Sequence, residues 1–288
     1  MAPRYQFIRF PGGKVKAVTF SYDDGVIEDV RLADIFCKYN LKATFNINSA
    51  LMGEGERRLT AEKIKEHIID RGHEVATHGA EHRAPLKQRP IMAIQDTLNC
   101  RLGLEEAFGV IIRGMAYPDS GIRMQTPGSV AYTELREYLG ALGIAYARTL
   151  AGDNDSFMLP EDFYAWMPTA HHDNPKIMEY IDKFLALSED KLYYSSKMPL
   201  LFYIWGHSYE FERNGNWEHI EAICEKLSGK DDVWYATNIE ICDYVKAYES
   251  LIYSADGGRV YNPTLIDVWF WASGKIYKVK SGSTVILE

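Results

Sequence analysis

Lys16-Ala17-Val18-Thr19-Phe20-Ser21-Tyr22-Asp23-Asp24-Gly25 is the stretch on which the reading of this chain turns. An apolar run ends in two adjacent acids and a glycine. That is the pattern of a buried strand whose C-terminal end delivers carboxylates to a site. Two neighbouring buried carboxylates are costly unless a cation or a proton offsets them. A metal ion is the simplest such cation, so its other ligands should lie elsewhere in the chain.

They are found downstream. Gly72-His73-Glu74-Val75-Ala76-Thr77-His78-Gly79-Ala80-Glu81-His82 places a second strand-like run before two histidines four positions apart. If the segment after Thr77 turns helical, that spacing puts both rings on one face. Two imidazoles and a carboxylate leave open positions on a divalent ion, as in a catalytic rather than a closed structural site. His73, inside the strand approach, reads as structural. Further on, Leu201-Phe202-Tyr203-Ile204-Trp205-Gly206-His207 ends another apolar strand in a histidine. His207 should face the same site, where a neutral imidazole can move a proton.

Strand-like and helix-like stretches alternate through most of the chain. Strands are expected at 15–21, 41–47, 74–77, 110–117, 144–148, 164–169, 200–205 and 233–236. Helices are expected at 27–39, 60–71, 90–108, 129–142, 175–187, 217–227 and 238–250. This rhythm implies a parallel sheet with helices outside, and the polar residues gather just after strands, where barrels place their chemistry. The expected fold is α/β, a distorted parallel (β/α)7-type barrel. The tail differs: short β runs separated by Ser273-Gly274 and Ser281-Gly282 imply a C-terminal antiparallel β appendage. The expected division is a barrel over residues 1–255 and a β-rich appendage over 256–288.

The 288 residues, 47% hydrophobic and 25% charged, suit a folded α/β chain, and the net charge of -8 argues against nucleic acid or an anionic membrane as partner. Cys37, Cys100, Cys224 and Cys242 form no CxxC pair; Cys37, Cys224 and Cys242 read as buried thiols in helices. The first residues lack the charged-then-apolar pattern of a secretory signal, so a cytoplasmic location is expected, with a processed secreted form left open. Oligomeric state is not legible.

Together these pieces resemble the polysaccharide deacetylase family, the NodB-homology domain of carbohydrate esterase family four. Ser21-Tyr22-Asp23-Asp24-Gly25 is similar to its first motif, and His78 to His82 after Gly72-His73-Glu74 is similar to its second. Lys42-Ala43-Thr44-Phe45 looks like its second strand, and His207 like its late strand-end histidine. The resemblance covers roughly residues 15–250. It implies that Asp24, His78 and His82 bind one divalent metal, that Asp23 is the general base and that His207 is the general acid. Zinc is the expected ion, with cobalt, nickel or manganese as alternatives. The implied activity is removal of acetyl groups from N-acetylated or O-acetylated sugars. Hydrolysis of a non-sugar amide or ureide, and metal-containing carbohydrate binding without catalysis, are the alternative readings.

The chain also departs from that family's third motif. Gly114-Met115-Ala116-Tyr117-Pro118-Asp119 has Ala116 where arginine is expected and Asp119 where tyrosine is expected. The oxyanion donor there is a main-chain N–H, which Asp119 could still supply. Arg148, at a strand end, is the candidate to replace the arginine beside the base, and Arg113 a weaker one. The fourth motif is not legible; Asp153 and Asp155 lie in its region. Tyr117, Trp166, His172, Trp205 and Tyr209 are candidate sugar contacts, with core packing an equal reading for the aromatic ones. His171 and His172, paired at a strand end, can bind substrate or support the site, with surface residues an equal reading.

Overall fold

The computed structural model describes residues 5–150, 155–188 and 197–288. Strand β1 (Gln6–Arg9) is followed by the central strand β2 (Lys16–Asp23), all eight residues of which are buried. A strand covered on both faces reads as a near-continuous apolar run, which is why Lys16–Tyr22 does not alternate. The parallel strands that follow are β3 (Thr44–Ile47), β4 (Glu74–Thr77), β5 (Gly114–Ala116), β6 (Tyr146–Arg148), β7 (Ala170–His171), β8 (Leu200–Gly206) and β9 (Val233–Tyr235). Their order is β6-β5-β4-β3-β2-β8-β7, with β9 paired to the first half of β2. The helices are α1 (Asp29–Lys38), α2 (Ala61–His67), α3 (Pro90–Phe108), α4 (Tyr132–Ala141), α5 (Ile177–Ala186), α6 (Tyr209–Asn214), α7 (Trp217–Leu227) and α8 (Asn238–Glu249). This is the distorted (β/α)7-type barrel expected, curled and incompletely walled.

The incomplete wall has a local cause. A strand was expected over 164–169; instead a 3-10 turn covers Phe163–Ala165, and Trp166 makes a single parallel bridge to Arg148. Pairing with β8 resumes at Thr169, whose N–H donates to Tyr203 O at 2.8 Å. Pro168 lies between the two pairings; it has no N–H to give and restricts Met167 before it. One short segment thus links β6 to β8 by switching partners.

The helices end where sequence signals say they should. Pro90 opens α3, where its missing N–H costs nothing, and Gly109 closes it with φ 66 and an N–H to Glu105 O at 2.9 Å. Thr237 and Glu240 form a capping box on α8, with bonds of 3.4 and 2.8 Å. Thr60 caps α2 without one.

The remaining strands are antiparallel: β10 (Ile252–Tyr253), β11 (Arg259–Tyr261), β12 (Val268–Ala272), β13 (Lys275–Val279) and β14 (Thr284–Ile286). β12 pairs with both β13 and the N-terminal β1, a strand not read from the sequence. Val260, Val268, Phe270 and Val279 make a small core with Ala247 and Leu251 from the end of α8. All four cysteines are free thiols; Cys37 is exposed on α1, a correction to the expected burial. Among the described residues no helix is long and apolar enough to cross a membrane.

Candidate metal centre and active site

Every parallel strand that carries a candidate residue presents it at the same carboxyl edge. Asp23 is the last residue of β2, and Asp24 follows in a left-handed conformation, φ 86. That conformation strains a side-chain-bearing residue. It is held by Asp24 N–H donating to Asn46 O at 3.0 Å and by Arg58 Nη1 donating to Asp24 O. The turn sends the two neighbouring carboxylates different ways, so each can serve a separate task.

Asp24 Oδ1 lies 3.5 Å from His82 Nε2 and 3.9 Å from His78 Nε2, and the three ligand atoms are mutually within 4.8 Å. No helix follows Thr77, in contrast to the helical spacing considered for the histidines. Gly79 and His82 adopt φ 68 and 56, and the resulting loop brings the rings to 4.9 Å between centroids. Asn48 Nδ2 donates to the carbonyls of His78 and Gly79 and pins that loop. His78 Nδ1 is 2.9 Å from Ala116 O, so this nitrogen carries the proton and Nε2 is left with a lone pair directed at Asp24. Two imidazoles and a carboxylate oxygen arranged in this way fit a first-row divalent ion.

Asp23 is 2% exposed and is embraced by donors. Arg148 Nη2 donates to its Oδ2 at 2.5 Å and Asn46 Nδ2 to its Oδ1 at 2.8 Å. His78 Nε2 and His207 Nε2 each stand 3.9 Å from Oδ2. Burial pushes this carboxyl up, but Arg148 above all, with His207 and Asn46, holds it below the usual carboxylate range. Arg148 ends β6, is 1% exposed, and lays its guanidinium over the Trp205 ring at 4.5 Å. The arginine that Ala116 lacks is thus delivered from the next strand. Arg113 instead pairs with Asp243 at 2.8 Å, and Asp155 with Lys183 at 2.6 Å. Asp153 lies outside the described residues.

His207 follows β8. Its Nδ1 is 3.4 Å from Glu210 Oε2, and its backbone N–H donates to the same oxygen at 3.2 Å. Burial opposes charge on this imidazole, yet Glu210 and Asp23 outweigh it and raise its pKa. Ser208 Oγ donates to the buried Asp29 at 2.6 Å, tying the His207 turn to the start of α1. Burial drives the Asp29 carboxyl well above its usual range.

The other candidates are placed unevenly. Tyr209 and Trp205 are half-buried beside His207, with ring centroids 5.2 and 5.8 Å away. Trp166 is a correction: it is enclosed by Tyr146, Phe163 and Tyr203 and has no free face to offer a sugar. Tyr117 is another, buried with its hydroxyl donating to Tyr164 O at 2.8 Å. His172 is fully buried as well, which removes it as a sugar contact. Asp119 turns its carboxylate out to Lys87 at 2.6 Å and has φ 52. His73 is structural, as expected: its Nδ1 accepts Ala43 N–H at 3.2 Å, and burial pushes it down to about 4. Asn46, Arg58 and Glu210 were not read from the sequence. Only Glu210 left a trace there, three residues past a strand-end histidine.

The barrel's carboxyl edge thus carries an Asp–His–His cluster beside a buried, arginine-paired aspartate. The polysaccharide deacetylase family model matches residues 7–138, the part of the chain that is similar to that family. The match takes in Asp23, Asp24, His78 and His82 and stops before Arg148 and His207. Among solved structures, a Mycobacterium smegmatis protein assigned as a polysaccharide deacetylase is 18% identical with TM-score 0.58, over 86% of this chain and 95% of that one. A Pseudomonas aeruginosa PAO1 protein assigned in the same way is 15% identical with TM-score 0.57, over 81% and 92%. At these identities the likeness is one of fold. No curated protein matches the chain.

Proposed function

We propose that this chain is a metal-dependent hydrolase that removes acetyl groups from N-acetylated or O-acetylated saccharides. The observation that carries this reading is the separation of two adjacent acids. Asp24 faces His78 and His82, while Asp23 is locked by Arg148 and Asn46 within reach of His207. A binding protein has no need of a carboxylate held ionised opposite an imidazole.

Asp24 Oδ1, His78 Nε2 and His82 Nε2 would hold the ion, zinc being the first choice. Bound there, such an ion supplies Lewis-acid polarisation of an acetyl carbonyl and acidifies water toward neutrality. Asp23, ionised at neutral pH, accepts the proton of the attacking water through Oδ2, the oxygen it turns toward His78 and His207. Arg148 keeps that carboxylate ionised and oriented. His207, with its Nδ1 against Glu210, presents Nε2 to the same region and protonates the leaving nitrogen or oxygen; an amide nitrogen cannot leave as an anion at neutral pH. The main-chain N–H of Asp119 is the proposed donor to the developing oxyanion. Trp205 and Tyr209 are the rings positioned to face a pyranose. All of these residues precede 256, so the chemistry is assigned to 1–255 and the strands of 256–288 to a supporting part.

The test is acetate release from acetylated chitooligosaccharides by chain loaded with zinc or cobalt. Release that disappears on chelation and returns with metal is expected. Turnover of ureides with none on acetylated sugars would replace this reading with the non-sugar amide one.

A further inference from the structure

A second group of ligand-type side chains lies on the other side of His207. His171 ends β7, His172 and Asp173 follow it, and Glu210 sits in the first turn of α6. One ligand atom from each of the four lies within 4.8 Å of all the others. His172 Nε2 is 3.4 Å from Asp173 Oδ1 and 3.4 Å from Glu210 Oε2. Donors about 2.0–2.1 Å from a tetrahedral ion are roughly 3.3 Å apart, so these spacings match a single coordination sphere.

His172 is the residue that points to a ligand. Its ring is 0% exposed, against Phe211 at 4.2 Å and Tyr22 at 5.7 Å between centroids. Neither ring nitrogen has a hydrogen-bond partner among the described residues. Leaving a buried polar group unsatisfied is costly, and native structures rarely do so without reason. Nδ1 abuts Gly206, where an added Cβ would overlap it, so no donor can enter on that side. Nε2 is the atom facing the two carboxylates.

His171 has a different part. Its Nδ1 accepts the Asp173 N–H at 3.1 Å, so Nε2 carries the proton and stands 3.1 Å from Glu210 Oε2. An imidazole in that tautomer orients a carboxylate instead of ligating an ion. We propose that His172 Nε2, Asp173 Oδ1 and Glu210 Oε2 hold a second divalent cation, with His171 orienting Glu210. One imidazole and two carboxylates neutralise the ion's charge and suit zinc or manganese. The site shares Glu210 Oε2 with His207, the residue that faces Asp23. The inference is independent of the deacetylase reading, because it uses none of Asp24, His78 and His82.

The experiment is equilibrium dialysis of the full chain, stripped by chelator, against zinc alone and against manganese alone, with metal per chain read by elemental analysis. Two equivalents are expected in the wild type with at least one of the metals. One is expected in Asp173→Asn, in Glu210→Gln and in His78→Ala, and none when His78→Ala and Asp173→Asn are combined. Asp173 is partly exposed, so Asp173→Asn tests the site without emptying a core position; circular dichroism confirms its fold. A wild type that takes a single equivalent of each metal, lost in His78→Ala and kept in Asp173→Asn, removes the second site and leaves the first standing. Two equivalents retained in both Asp173→Asn and Glu210→Gln overturns the ligand assignment outright.

Discussion

Arg148 Nη2 meets Asp23 Oδ2 at 2.5 Å, joining the ends of two strands, β6 and β2, that have three others between them in the sheet. Both groups are almost wholly buried, so neither has water to fall back on. Breaking one side of such a pair strands the other charge and typically costs about 3–5 kcal/mol. Arg148→Met is therefore expected to lower unfolding free energy by about that amount in denaturant titration. Without the guanidinium, burial is left to push Asp23 up, so the acid limb of the rate profile should move to higher pH. An unchanged profile in a folded Arg148→Met chain would detach Arg148 from the base.

Asp23→Asn separates proton transfer from metal holding. The amide keeps the size of the side chain and cannot accept the proton. Turnover is expected to fall about 10²–10⁴-fold. Metal content should stay at the wild-type value, because Asp24, His78 and His82 are intact. His78→Ala should do the reverse first, lowering bound metal before any kinetic measurement is made. Wild-type turnover in Asp23→Asn would end the base assignment.

Glu74 provides a pH-dependent term far from the chemistry. Tyr146 Oη, Thr44 Oγ1 and Ile239 N–H all donate to it, at 2.7, 2.7 and 2.9 Å. Burial nevertheless dominates and raises the carboxyl to about 7. A carboxyl whose folded pKa lies above its unfolded value binds the extra proton in the folded state. Stability therefore falls as pH rises through the interval from the unfolded value, near 4.3, to about 7, and is flat on either side. The total is on the order of 3 kcal/mol. Glu74→Gln should flatten that segment of the stability–pH curve; a curve that keeps its slope would place the titrating group elsewhere.

Gly206 ends β8, next to His207, with the His172 ring pressed against it. Any Cβ there overlaps His172 Nδ1, and the ring is wedged between Tyr22 and Phe211. Gly206→Ala is expected to destabilise by about 1–3 kcal/mol, the usual cost of overpacking a close-packed interior. A melting temperature equal to that of the wild type would mean the ring is freer than its packing implies.

What could be read in the sequence was what is local in it. Asp23-Asp24 after an apolar run, and His78 and His82 after another, are adjacent along the chain, and a strand end needs no partner to be recognised. Helices bounded by Pro90, Gly109 and the Thr237 box were legible for the same reason. Trp166 misled because an aromatic next to a strand-end histidine pair has the same sequence signature whether its ring lines a cleft or fills a core. The loop at 78–82 misled because left-handed φ at His82 has no signal comparable to that of a glycine.

By itself, then, the chain's order of residues pointed to a parallel strand–helix fold, to the strand ends that carry Asp24, His78 and His82, and to a second acid next to Asp24. It offered Arg148 and His207 as candidate neighbours of that acid, but it gave neither Asn46 nor any of the contacts themselves. Arg148, Asn46 and His207 reach Asp23 from strands at separations of 125, 23 and 184 residues. Which buried charge meets which is decided by strand order and register, and these follow from burying the apolar surface of the entire sheet rather than from any one motif.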